Sequence, residues 1–112
     1  MNLKLHSQDD VTIVEVVGRV DTHTVKTLSQ QLQIASSQSP ANIVIDLAGV
    51  SFLDSSGLSA LVQGMRSCRA SGGDLRLAGP STSVQMILEL TRLDKALDVF
   101  PDEAKAVASF MH

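Results

Sequence analysis

The sequence predicts an α/β fold. One domain spans residues 1–112, with a small mixed β-sheet, an N-terminal hairpin followed by βα units, packed by about four helices. Three observations carry this. Two strand-like runs flank a polar turn near the N-terminus, which reads as an antiparallel hairpin. Short apolar runs then alternate with segments of helical periodicity, the pattern of βα units and parallel strands. A length of 112 residues at 44% apolar usage suits a single domain with its own core.

In the first run Leu3 and Leu5 alternate with Lys4 and His6, and Gln8-Asp9-Asp10 supplies turn residues. Val11 to Val17 follows. It is β-branched and apolar on both faces except at Thr12 and Glu15, so it belongs inside the sheet. Asp21 or Thr22 is placed to cap a helix running to about Ser37, with Val25, Leu28, Leu32 and Ala35 facing inward. Ser36 to Pro40 reads as a loop. Ile43 to Leu47 is the most strand-like run, short and almost wholly apolar, as in a parallel strand buried on both faces. After a short connection, Ser55 to Ser71 reads as a helix with Leu58, Leu61, Val62 and Met65 inside, ended by Gly72-Gly73. Asp74 to Ala78 is the next strand. Pro80 and Ser81 open a helix that buries Val84, Ile87 and Leu88. Val99-Phe100 suits a short edge strand. Asp102 caps a last helix, with Ala104, Val107, Ala108 and Met111 facing inward.

Composition narrows the function. The chain has no Trp, no Tyr and three Phe, too few rings for a platform that stacks bases or sugars. Nine Lys and Arg against twelve Asp and Glu give a net charge of −3, the wrong balance for a polyanion, so no nucleic-acid partner is expected. Cys68 is the one cysteine, which leaves no internal disulfide and no multi-cysteine metal site. His6, His23 and His112 show no ligand spacing, and neither metal nor cofactor is expected. No apolar run is long enough to span a membrane, and the first residues lack the long apolar stretch of a signal peptide. The expectation is a cytoplasmic domain without direct membrane contact.

The chemistry concentrates in Val50-Ser51-Phe52-Leu53-Asp54-Ser55-Ser56-Gly57-Leu58, which joins the most buried strand to a helix start. Open α/β sheets place functional groups beyond the carboxyl ends of their strands. Asp54, Ser55 and Ser56 all suit an N-cap or first-turn position, where free N–H groups and the helix dipole stabilise a phosphate. A helix start and nothing more would use the same residues. A phosphorylatable serine is the functional reading: phosphate adds about −1.5 to −2 charges, which the helix end tolerates and a partner surface need not. A hydrolytic nucleophile is the third reading. It lacks the Gly-x-Ser-x-Gly elbow and needs a base from His6, His23 or His112.

At this segment the chain resembles the STAS domain, specifically the stand-alone bacterial anti-sigma factor antagonists, over essentially its whole length. Gly18-Arg19-Val20-Asp21-Thr22-His23-Thr24 is similar to the family's Gly-x-hydrophobic-Asp segment leading into the first helix. Ile43 to Leu47, followed by Asp54-Ser55-Ser56-Gly57-Leu58, is similar to its buried strand and Asp-Ser-Ser/Thr-Gly-Leu motif. The resemblance implies a STAS-like fold and a partner switch without catalysis of its own. The unphosphorylated antagonist captures a serine-kinase anti-sigma factor of the histidine-kinase-type ATPase fold and frees its target. The kinase, which supplies ATP and Mg²⁺, phosphorylates the antagonist and ends the capture. A PP2C-type serine phosphatase restores it. The phosphoacceptor maps onto Ser55, with Ser56 as second candidate. Asp21 and Asp54 match the acidic positions, and Gly57 the motif glycine, which lets the backbone approach a partner or the phosphate. Ser59 stands where many relatives have Gly, and Arg19 where acidic or polar residues are common. Both departures are compatible with a different partner or a non-sigma output; a STAS subunit of a transporter complex or stressosome-like scaffold is the structural alternative.

The partner-binding surface expected on this reading comprises Asp21, Thr22, Asp54, Ser56, Gly57, Ser59 and Gln63, with Arg66 extending the strip along the motif helix. Arg66 and Arg69 share a helix face. Cys68 reads as a packing residue rather than a redox sensor. Asp46, inside a buried strand pattern, is expected to bond a loop or point outward at the strand end.

Overall fold

The computed structural model describes residues 1–111; His112 lies outside the described residues. Strands β1 (Asn2–Gln8) and β2 (Val11–Val20) form the hairpin, in antiparallel register from Asn2 opposite Val17 to Gln8 opposite Val11. Asp9 and Asp10 both take positive φ, 52° and 64°, as a two-residue turn matched to the strand twist requires. Helix α1 (Val25–Ala35) leads to β3 (Asn42–Leu53), then α2 (Ser55–Ala70) and β4 (Asp74–Ala78). Next come α3 (Thr82–Leu90), α4 (Leu93–Ala96), β5 (Val99–Phe100) and α5 (Glu103–Ala108).

The strands form one five-stranded sheet in the order β1-β2-β3-β4-β5, antiparallel only at the hairpin. The mixed sheet packed by helices is therefore as predicted, with α4 as a fifth, unforeseen helix of four residues. β2 and β3 are buried on both faces. One face, including Val14, Val16, Ile43, Ile45 and Leu47, joins the larger core with Leu28, Leu32 and Leu61. The other, with Val11, Ile13 and Val44, packs under Ala106 and Val107 of α5.

Five expectations need correction. The segment read as a connection after Leu47 is strand: β3 continues to Leu53 because it keeps pairing with the extended β2, Val20 opposite Leu53. α1 starts at Val25, later than expected, because Asp21 caps a turn that precedes it and the N-cap residue Thr24 makes no side-chain cap. On α2 the buried stripe is Gly57, Ala60, Leu61, Gly64, Met65 and Cys68; Leu58 and Val62 lie only half-buried at its flank. On α3 Ile87 is half-buried beside Val84 and Leu88. The last helix is short and buries Ala106 and Val107, leaving Ala104, Ala108 and Met111 exposed.

Candidate functional site

Parallel pairing brings the two motif segments to one end of the sheet. β2 and β3 finish level, and the Asp54 N–H donates to the Val20 carbonyl at 3.2 Å. The β2 end is folded by Asp21. Its Oδ1 accepts from the N–H groups of His23 (3.0 Å) and Thr24 (3.2 Å). The Thr24 hydroxyl accepts from the Asp21 N–H (2.9 Å) and donates to the Arg19 carbonyl (2.8 Å). Thr22, the other expected cap, is exposed, and its backbone N–H faces the Asp54 carboxylate.

The β3 end opens α2. Asp54 has extended backbone, φ −98° and ψ −173°, and its Oδ1 accepts from the N–H groups of Ser56 (3.0 Å) and Gly57 (3.1 Å). This is an N-cap in geometry and chemistry. The Ser56 hydroxyl also donates to Asp54 Oδ1, at 2.6 Å. That hydroxyl bond, with the Gly57 N–H next, holds the Asp54 carboxyl below the usual carboxylate range against a smaller effect of burial. At Asp21 burial is the largest influence and pushes upward, but the bonds from His23 and Thr24 together outweigh it and the carboxyl also ends low. Both aspartates are therefore charged at neutral pH.

The two adjacent serines differ. Ser56 is half-buried and tied to the cap. Ser55 is exposed, and among the described residues no hydrogen bond engages its hydroxyl. Ser55 instead borders an open groove of about 450 Å³ that runs along α2, floored by Leu58, Val62 and Leu93 and edged by Ser59, Gln63 and Arg66. Ser59 and Gln63 thus share a surface with Ser55, as the sequence suggested. Gly57 does not face outward. A Cβ there would lie 2.5 Å from Leu53 Cδ1 and 2.9 Å from Val20 Cγ1, so the glycine lets α2 sit close on the sheet rather than opening the backbone to a partner.

Sequence reasoning missed two contributors. Arg19 stacks over the Phe52 ring at 4.2 Å and approaches Asp21 Oδ2 at 3.6 Å. Leu93 reaches the groove from α4. Neither had a local signal: Phe52 reads as connection until β2 is known to pair beside it, and nothing nearby marks Leu93. Of the two arginines expected on one face, Arg66 edges the groove, whereas Arg69 is committed to Asp74 (3.0 Å) and the Ala96 carbonyl (2.9 Å). Cys68 is fully buried, and burial, then the Asp74 charge, pushes its thiol up to about 11, which fits packing rather than redox chemistry. Asp46 accepts from the Ala48 N–H at 2.9 Å.

Among the described residues, no hydrogen bond joins a histidine to Ser55, and His112 lies outside them. The one group of three metal-ligand-type side chains among them is His6, Glu15 and Glu103, which includes neither Ser55 nor Asp54. No helix among the described residues is long and apolar enough to cross a membrane.

A small α/β domain whose second hairpin strand pairs in parallel with the central strand, with a serine-bearing helix start at the end of that central strand, is the class defined by this fold and site. The chain belongs to the STAS domain family, whose model matches residues 2–106. It is similar to an anti-sigma F factor antagonist from Paenibacillus polymyxa, 26% identical over 96% of this chain and 94% of that one. An anti-sigma-B factor antagonist from Staphylococcus aureus is 27% identical over 88% of this chain and 92% of that one. The crystal structure of an anti-sigma factor antagonist from Mycobacterium paratuberculosis superposes with a TM-score of 0.90 at 27% identity, covering 99% of this chain and 94% of that one.

Proposed function

We propose that the protein is a phosphorylation-controlled anti-sigma factor antagonist, acting as a binding module rather than an enzyme. The observation that carries this is the pair of serines at the start of α2: Ser56 locked to Asp54, and Ser55 exposed beside the groove with no hydrogen-bond partner for its hydroxyl among the described residues. The relatives named anti-sigma factor antagonists, matched over nearly their full length, support the partner class.

The unmodified surface binds a serine-kinase anti-sigma factor of the histidine-kinase-type ATPase fold and frees its target. Asp21, Thr22, Asp54 and Ser56 form the turn side of that surface, and Ser59 and Gln63 the helix side. In the transfer step the Ser55 oxygen forms a bond to the γ-phosphorus of ATP held by the kinase. The bond from that phosphorus to the β-phosphate oxygen breaks, ADP leaves, and the serine proton passes to solvent or a kinase base. The product adds about −1.5 to −2 charges. The N–H groups and dipole at the start of α2 accommodate this charge within the domain. A partner surface fitted to a neutral hydroxyl and an apolar groove does not, so binding is lost. Hydrolysis by a PP2C-type serine phosphatase resets the surface. On this reading the action takes place in the cytoplasm.

Incubation with the cognate kinase and ATP, followed by mass-spectrometric mapping, tests the assignment. Phosphate is expected on Ser55 and absent in Ser55→Ala. Phosphate on neither Ser55 nor Ser56 overturns the switch.

A further inference from the structure

We infer that α5 is held on the second face of the sheet by a proton shared among Glu103, Asp46 and Glu15, so that docking of this helix is pH-sensitive. This device is independent of the Ser55 reading. Glu15 and Asp46 are Cα partners across β2 and β3. They follow Ile13 and Val44 at a spacing of two on the face that α5 covers. α5 carries Glu103 in its first turn, and a Glu103 carboxylate oxygen lies within 4.8 Å of one of Glu15. Three carboxyl groups on three elements thus meet at the edge of a small apolar core.

Little compensates them. From β1, His6 Nε2 lies 3.8 Å from Glu103 Oε1 but is well exposed, and Lys4, the Cα partner of Glu15, makes no ion pair among the described residues. From β4, Arg76 is committed to Asp74 (3.2 Å), Asp98 (3.9 Å) and the Phe110 ring (4.1 Å). β5 contributes only Val99 and Phe100. On α5 itself, Asp102 caps the helix through the Lys105 N–H at 2.8 Å, and Lys105 makes no ion pair among the described residues. Like charges this close cannot all ionise without cost, and one proton bridging them removes the repulsion. The Asp46 hydrogen bond first, then burial and the Glu15 bond, push the Glu103 carboxyl up to about 8.

The sign follows. The folded chain holds this proton more tightly than the unfolded chain, whose glutamate titrates near 4.5. The stabilisation is complete below pH 4.5, declines as pH rises, and is gone above about 8. Urea unfolding of the full chain in EDTA buffer, from pH 5 to 9, compares the protein with Glu103→Gln, which keeps a donor and cannot ionise. The ratio of their folding constants should shift by up to about tenfold per pH unit inside the window, the unmodified protein losing more. Backbone amides of Ala106 and Val107 should lose exchange protection before those of Leu61 and Met65. Glu15→Gln, which removes one neighbour, should move the decline to lower pH. Parallel pH curves for the protein and Glu103→Gln, unchanged relative protection of α5, or an unmoved decline in Glu15→Gln each overturn the proposal.

Discussion

At the residue scale, two neighbouring serines have different surroundings because of where an N-cap aspartate reaches. The cap carboxylate bonds the second and third N–H groups of the helix, which places it over Ser56 and leaves Ser55 outside. Asp54→Ala should therefore lower the urea midpoint of unfolding by removing the N-cap, whereas Ser55→Ala should leave it unchanged. Asp21 and Asp54 both have lowered carboxyls, so what they contribute is present above the ordinary aspartate range and fades as pH falls below it. Titration of their carboxyl carbons by NMR should show both below 3.8, their unperturbed value; ordinary titration would contradict the hydrogen-bond geometry. The Asp-Ser-Ser-Gly segment was legible in sequence as a helix start. The division between Ser55 and Ser56 was not, because it depends on the direction of two hydroxyls around one carboxylate.

At the element scale, α2 is positioned by what its inner face lacks. Gly57 and Gly64 lie where a Cβ would meet Leu53 and Val20, or Leu75 at 2.9 Å. The helix can then lie close on β2, β3 and β4. Reading for large apolar residues chose Leu58 and Val62, which instead line the groove; small residues at a close helix-sheet contact carry no hydrophobic signal. Gly57→Ala should cost about 1–3 kcal/mol by overpacking, and Leu61→Ala about 2–5 kcal/mol by opening a cavity, both measurable by denaturant unfolding. The Gly57 variant should also disturb binding, because it lifts the start of α2. The β-branched composition of β2 and the apolar run of β3 were read correctly as interior strands. The extension of β3 to Leu53 escaped notice because Ser51 and the exposed Phe52 look like loop until β2 is known to pair beside them.

At the scale of the whole molecule, the site exists only because β2 and β3 run parallel and end together, bringing Asp21 and Asp54 to one edge from distant parts of the chain. The hairpin and alternating units made that topology readable from sequence; the small α4, which supplies Leu93 to the groove, is too short to leave a periodic pattern. A phosphate on Ser55 takes the net charge from −3 to about −4.5 to −5, all of the change at one helix end. Thermal unfolding of the phosphorylated protein should stay close to that of the unmodified protein, since the charge is exposed and faces a favourable dipole. The most direct measurement is the affinity of the cognate anti-sigma factor kinase for the unmodified protein and for the same protein phosphorylated at Ser55. Binding should weaken more than about tenfold, or about 1.4 kcal/mol; equal affinity for the two forms would contradict the account.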